Sequence, residues 1–313
     1  MDVVEVSIRQ LMPEAESRRE MPRWAAVIVN YNAGEHLAAC VHSVLEDDSA
    51  GDVDVLVVDN GSTDGSLDAL GTFGSQVRVV HSGGNVGMAT AANLGIAATL
   101  ALVVAVLNPD TVVAPGTAGA LVGRLEREPQ LGIVGPRIFN VDGSTYPSAR
   151  SEPALLDSIG HALFGLVLPR NRFTRRYRQL DRDPAIPREV DWLSGAAMWI
   201  HRDALDAIGG WNERYFMFME DVDLCKRLRL RGWRVAYEPT GSVVHVEGVS
   251  RAVHPYRMIA AHHRSVWQFA RDNWTGPRRA VLALAAPTLF ARALAQMASV
   301  WIASCRLFSR GEG

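Results

Sequence analysis

The chain has 313 residues, 48% of them hydrophobic and 21% charged, with a formal net charge of −2. This composition excludes a disordered chain, and the near-neutral charge removes any bulk electrostatic case for nucleic-acid binding. The length allows one large α/β domain with an appendage, or two small domains.

Residues 1–22 carry acids and no long apolar core, so they read as a lead-in and not as a secretory signal. AAVIVN (25–30) then reads as a strand, and EHLAACVHSVLE (35–46) as a helix with Leu37, Val41, Val44 and Leu45 on one face. DVLVVDN (54–60) and VRVVHS (77–82) are further strands, TAANLGIAATL (90–100) is a helix of small residues, and LVVAVLNPD (102–110) is a fourth strand ending in a turn. The strands are continuous β-branched runs, which is the pattern of a parallel sheet covered by helices on both faces. Ligands of such sheets sit beyond the carboxyl ends of the strands. Polar clusters fall at those ends: NYN (30–32), DNGSTD (59–64), GGNVG (83–87) and NPD (108–110). Each alone is explained as a turn or a cap. Four in succession along one sheet edge favour one shared ligand.

From about residue 142 to 190 the pattern loosens into Pro, Ser and Arg, as in a mobile segment beside a site. Within it, RNRFTRRYRQLDR (170–182) is basic, either a solvated helix face or a contact for a lipid diphosphate or anionic membrane. VDWLSGAAMWIHR (190–202), WRVAYEP and SVVHVEG (233–248) supply further strands and a tight turn. The stretch 280–308 is apolar but interrupted by Pro287, Arg292 and Gln296. It lacks a clean run of about 20 apolar residues, so a surface-lying amphipathic helix pair is favoured over ordinary packing or a span. Cys40, Cys225 and Cys305 are far apart and form no CxxC pair, which fits a reducing compartment.

Among these polar residues, Asp59 could accept from a base N–H, and Asn32, Asn85 and Asn93 offer amides to base, ribose or phosphate. Gly84 and Gly87 would let the backbone approach a diphosphate. Neither GxxxxGK[ST] nor GxGxxG after the first strand occurs. Asp110 suits a hard divalent cation or a turn cap, and His245 a second ligand or a packed histidine. In FMFMEDVDLCKRLRLRGW (216–233), Asp221 or Asp223 could cap a helix whose far end carries arginines and Gly232. That leaves Glu220 unexplained. A carboxylate at a helix start against apolar side chains can be both a cap and a general base.

Taken in order, VIVNYN, VDNGSTDGS, GGNVGMATAANLGI, LNPD and DWLSGAAMWIHRDALDAIGGWNERYFMFMEDVDLCKRLRLRGWRV resemble the family 2 inverting glycosyltransferases with the GT-A fold, over roughly residues 24 to 250. Within that family the chain is most similar to the rhamnosyltransferase branch. The resemblance implies an α/β GT-A domain over residues 23–255, with a Rossmann-like, mostly parallel sheet flanked by helices. Its nucleotide half would be 23–115 and its acceptor half 130–255, followed by a helical membrane-associating segment over 256–313. It implies nucleotide contacts from Asn30, Asn32, Asp59, Asn60, Asn85, Gly87, Asn93 and Asn108, and a divalent cation, Mg²⁺ or Mn²⁺, on Asp110 and His245. Many relatives carry DxD where this chain has Asn108-Pro109-Asp110. Trp192, Ser194, Gly195 and Trp211 would shape the acceptor pocket, Asp221 would be the base, and Glu220 would orient the acceptor. The implied reaction moves L-rhamnose from dTDP-rhamnose to a hydroxyl of a GlcNAc-diphospho-polyprenol in cell-wall linker assembly, at the cytoplasmic face of the plasma membrane. Galactosyl or glucosyl transfer, a catalytically silent nucleotide-sugar binder and a homo-oligomer stay open. A nucleotidyltransferase is disfavoured because NYNAGEH replaces the Gly-rich, Arg-containing loop after the first strand. QFARD (268–272) lacks the Trp of the QxxRW motif of processive synthases, which favours single addition.

Overall fold

Trp24–Asn30 forms β1, and every residue of it is buried. Trp24, Ala26 and Ile28 join the apolar core on one face of the sheet, and Ala25, Val27 and Val29 join the core on the other. Burial on both faces is why this strand is an unbroken apolar run. The computed structural model describes residues 22–152, 168, 171–246 and 255–308. The lead-in expected over residues 1–22, except its last residue, lies outside them, as do residues 153–167 of the loose stretch and the first residue of the basic run 170–182.

After β1 come α1 (His36–Glu46), β2 (Val53–Asp59), β3 (Val77–His81), α2 (Met88–Ala97) and β4 (Val103–Leu107). β1 runs parallel to β2 and β4, and β2 parallel to β3. The order β3-β2-β1-β4 brings the four carboxyl ends, and the polar clusters that follow them, to one edge. The small residues of α2 allow it to lie close: a Cβ on Gly95 would stand 2.3 Å from Val27 Cγ1.

The second half contains β5 (Thr111–Val113), α3 (Thr117–Arg127), β6 (Leu131–Phe139), β7 (Thr145–Tyr146), β8 (Ala149–Arg150), α4 (Arg172–Tyr177), β9 (Arg188–Glu189), β10 (Trp192–Leu193), β11 (Ala197–His201), α5 (Arg202–Ile208), α6 (Glu220–Leu230) and β12 (Arg234–His245). Here the sheet is mixed. β11 runs antiparallel to β4 and β6, while β12 is parallel to β6 and antiparallel to β5. The mostly parallel sheet expected from the sequence therefore holds for β1–β4, while the second half keeps one parallel pair, β6 with β12, among antiparallel ones. The chain enters β11 at the carboxyl end of β4, where the Asn108 N–H donates to Ala196 O at 2.9 Å, so β11 can only run back along β4. β8 and β10 form a separate ladder with Arg150 opposite Trp192.

Two helices follow, α7 (Pro255–Asn273) and α8 (Leu282–Phe308). α7 packs on the domain through buried His263, Ser265, Phe269 and Ala270. α8 continues through Pro287. It exposes Phe290, Leu294, Trp301 and Ile302. Among the described residues, no helix is long and apolar enough to cross a membrane.

Candidate active site

The chain reaches α6 through two consecutive left-handed residues that are not glycine, Phe218 (φ 66°) and Met219 (φ 68°). Such backbone is costly, and it persists where the surroundings over-determine it. The surroundings here are α7, whose Ser265 Oγ donates to Met217 O at 2.7 Å, and α2, whose Met88 N–H donates to Phe216 O at 2.8 Å. α6 then begins at Glu220 with no side-chain cap. The capping expected of Asp221 or Asp223 is not made. Asp223 instead receives Arg227 Nε at 2.6 Å, and Asp221 turns toward the sheet.

Asp221 Oδ2 accepts from the Gly195 N–H at 3.0 Å and Oδ1 from the Val222 N–H at 2.8 Å. Gly195 is suited to this approach, since a Cβ there would lie 3.3 Å from Asp221 Cβ. Burial pushes the Asp221 carboxyl above the usual range, while the two N–H donors and the Arg150 charge oppose that rise. Glu220 is buried, and its Oε2 has no hydrogen-bond partner. Burial first, and the neighbouring Asp221 second, push its pKa up to about 8. The two adjacent acids thus differ in kind: one is held by donors, and the other is kept largely neutral.

Beside them, the Arg150 guanidinium lies 4.7 Å over the Trp192 ring and 5.4 Å from the Tyr146 ring centre. Arg150 Nη2 donates to Tyr146 Oη at 2.8 Å and Nε to Pro147 O at 2.7 Å. Trp192 Nε1 donates to Ser151 O, its ring meets Tyr177 at 6.1 Å, and the Ser194 N–H donates to Ser148 O. Trp192, Ser194 and Gly195 therefore form one wall next to Asp221. Trp211 is buried in the same core, and its backbone N–H and C=O are both clamped by Asn93 of α2. Sequence reasoning missed Arg150, Tyr146 and Tyr177, because they sit in the stretch that looked loose; the β8–β10 register brings in Arg150, the β6–β7 pairing Tyr146, and α4 Tyr177.

Along the carboxyl edge, Asp59 Oδ1 accepts from the Ser62 N–H at 3.1 Å, and Asn32 Oδ1 from the Thr63 N–H at 2.8 Å. Asn60 Oδ1 accepts from the Val86 N–H and its amide nitrogen donates to Asn85 Oδ1 at 3.2 Å. Asn85 itself is exposed. Three residues expected at the nucleotide look inward instead. Asn30 is wholly buried, and its amide nitrogen donates to Ser62 Oγ and Ser66 Oγ, which shapes the loop. Asn93 clamps both backbone groups of Trp211 and donates to Glu213, which spends its amide on the protein. Gly87 (φ 91°) is bare to admit Phe216, whose carbonyl oxygen would stand 2.5 Å from a Cβ.

Asp110 Oδ1 and His245 Nε2 are 3.1 Å apart, and the Asn108 amide nitrogen is 3.4 Å from the same Nε2. His245 Nδ1 is buried without a partner. No group of three or more His, Cys, Asp or Glu able to hold a metal occurs among the described residues. The pair nonetheless fits a divalent cation that takes its remaining ligands from phosphates, since Mg²⁺ sites commonly use one or two carboxylates plus the substrate. A carboxylate and an imidazole at the edge where a diphosphate would lie meet that requirement.

The family model for glycosyl transferase family 2 matches residues 25–209. The chain belongs to that family. It is a glycosyltransferase. This glycosyltransferase is 40% identical over 267 residues to the N-acetylglucosaminyl-diphospho-decaprenol L-rhamnosyltransferase of Mycobacterium tuberculosis, covering 82% of this chain and 86% of the relative. It is 32% identical over 194 residues to the pre-mycofactocin glycosyltransferase of the same species, covering 61% of this chain and 37% of that one. Among solved structures, a mannosyltransferase from Pyrobaculum calidifontis in complex with GDP-Man and Mn²⁺ superimposes with a TM-score of 0.57 at 18% identity, over 94% of this chain and 80% of that chain. GalNAc-T7 with UDP, GalNAc and Mn²⁺ gives a TM-score of 0.55 at 16% identity, over 73% and 44%. These likenesses show the fold, a mixed α/β, GT-A-like sheet flanked by helices.

Proposed function

We propose that this glycosyltransferase moves L-rhamnose from dTDP-rhamnose to a hydroxyl of a GlcNAc-diphospho-polyprenol, with inversion, in assembly of a cell-wall linker. The observation that carries the reading is the 40% identity, spread over 82% of the chain, to an enzyme named for rhamnosyl transfer to a GlcNAc-diphospho-decaprenol. The chemistry of the two acids supports it. Asp221 takes the proton from the acceptor hydroxyl as that oxygen attacks the anomeric carbon opposite the diphosphate. One displacement inverts the centre, so one base suffices. Glu220, kept neutral by burial, donates a hydrogen bond that orients the acceptor, and Trp192, Ser194 and Gly195 wall it. Asp59, Asn32 and Asn85 hold the nucleotide, while Asn60 shapes the loop that carries Asn85.

Asp110 and His245, with Asn108 beside them, would hold Mg²⁺ or Mn²⁺. The cation would neutralise charge developing on the departing diphosphate.

We also assign residues 23–255 to the catalytic domain, with a nucleotide half over 23–115 and an acceptor half over 130–255. Within 256–313, α7 stays with that domain, and α8 rests on the cytoplasmic face of the membrane that carries the acceptor. Phe290 (66% exposed), Leu294 and Trp301 (62% exposed) recur four and seven residues apart, which puts them on one helix face. The deciding experiment is a donor screen with the purified chain, using dTDP-, UDP- and GDP-sugars and a GlcNAc-diphospho-lipid analogue. Transfer from dTDP-rhamnose alone, with inverted product, is expected. Preference for another donor overturns the rhamnosyl reading.

A further inference from the structure

Next to the acceptor wall lies a cavity of about 130 Å³ whose lining includes Tyr146, Ser148, Arg178, Arg182, Arg188 and Tyr237. It contains three arginines and no carboxylate. Arg178 Nε is buried with no hydrogen-bond partner. Arg188 lies 4.7 Å over the Tyr237 ring, gives its Nε to Gln179 Oε1, and donates Nη1 to the Asp183 and Ile186 carbonyls. By contrast, Arg175 on α4, outside the cavity, is matched by Asp181. Burial pulls the Arg188 guanidinium below its usual pKa, helped by the Arg182 charge and opposed by Tyr237 and Asp183. Half-buried Arg178 and Arg188, with exposed Arg182 beside them and no carboxylate in the lining, gain from an anion that completes the cluster.

The position of the cavity says which anion. Tyr146 lines it, accepts from Arg150 Nη2 at 2.8 Å, and meets the His245 ring edge-on at 6.5 Å. Ser148 also lines it, and its carbonyl accepts from the Ser194 N–H in the turn that precedes Gly195, the Asp221 partner. Tyr146 thus links the cavity to His245, and Ser148 links it to the turn that holds Asp221. A sugar ring that offers one hydroxyl to Asp221 carries its anomeric substituent on the opposite edge.

We propose that Arg178, Arg182 and Arg188 form the binding site for the diphosphate of the acceptor. The proposal rests on the reading above that the acceptor is diphosphate-linked. Arginine forks match phosphate oxygens in pairs, and these charge-assisted bonds are the strong ones. The donor diphosphate and the acceptor diphosphate then occupy separate sites, with Tyr146 between them.

The test is a binding titration of the full chain without added divalent cation, using two probes. One is GlcNAc diphosphate on a short water-soluble alkyl chain; the other is the matching GlcNAc alkyl glycoside without phosphate. Arg178→Gln and Arg182→Gln should each weaken the first probe about tenfold and leave the second unchanged. Arg178→Lys should recover part of the loss, and Arg175→Gln, which removes equal charge outside the cavity, should change nothing. Unchanged diphosphate binding in both variants overturns the proposal. So does an equal fall with both probes in Arg182→Gln, whose exposed position spares the fold. A third arm is sedimentation with phosphatidylglycerol vesicles. If the variants lose sedimentation while probe binding stands, the site serves phospholipid headgroups, and the proposal fails. Because binding is read without donor, a wild type that holds the probe through these arginines yet transfers no rhamnose keeps this site and removes the rhamnosyl reading.

Discussion

The Gly195 N–H donates to Asp221 Oδ2 at 3.0 Å, which fastens the first turn of α6 to the turn that enters β11. The bond aims the carboxylate without consuming its second oxygen for another element, since Oδ1 receives only the adjacent Val222 N–H. A hydrogen bond of this charge-assisted kind contributes roughly 1.5–3 kcal/mol to holding the ion in place.

Replacing Asp221 by Asn keeps an acceptor for Gly195 and removes the base. Transfer should fall about 10²–10⁴-fold with the thermal transition little changed. Steady-state assays and a melting curve check this, and near-normal turnover by folded protein rules Asp221 out.

Glu220 ties stability to pH. Its pKa in the fold is about 8 against 4.5 unfolded, so the folded chain holds the extra proton between those values. Stability therefore drops as pH rises through that window. Glu220→Gln should flatten the dependence, with Tm matching the wild type near pH 5 and exceeding it near pH 9. Parallel Tm–pH curves would refute the assignment.

Arg150 lowers the pKa of Asp221 by its charge. Arg150→Met should raise that pKa and move the acid limb of the kcat profile to higher pH. Activity lost at pH 7 should then return in part on the alkaline side. A uniform loss at all pH values would mean that Arg150 only packs the wall.

Gly87 joins the nucleotide edge to the segment that delivers the acids. Gly87→Ala would press a Cβ to 2.5 Å from Phe216 O at a φ of 91°. A loss of about 2 kcal/mol or more is expected by denaturant titration, together with a raised KM for donor.

Chelation should abolish transfer, and Mg²⁺ or Mn²⁺ should restore it if Asp110 and His245 hold the cation. Asp110→Ala should weaken Mn²⁺ binding, followed by titration calorimetry with a nucleoside diphosphate present, about tenfold or more. Equal Mn²⁺ affinity in the variant would assign the cation elsewhere.

Much of the fold is legible in the chain. Unbroken apolar runs over 25–29, 55–58 and 103–107 announce strands buried on both faces, and the polar clusters after them mark the edge where the loops meet. Burial on two faces leaves a compositional trace that needs no knowledge of neighbours. The family resemblance was readable for the same reason, since its motifs are local.

What the sequence determined by itself was thus the class of fold, the edge that carries the site and the acids at 220 and 221. The tertiary structure alone decided which polar residues face that edge. Asn93 is consumed by Trp211, 118 residues away, while Asn85 stays exposed, although both are asparagines beside the same loop. Arg150 reaches the acids because two-residue strands pair it with Trp192. An amide or a guanidinium takes its role from whichever donors and acceptors surround it in space. No periodicity along the chain records those partners.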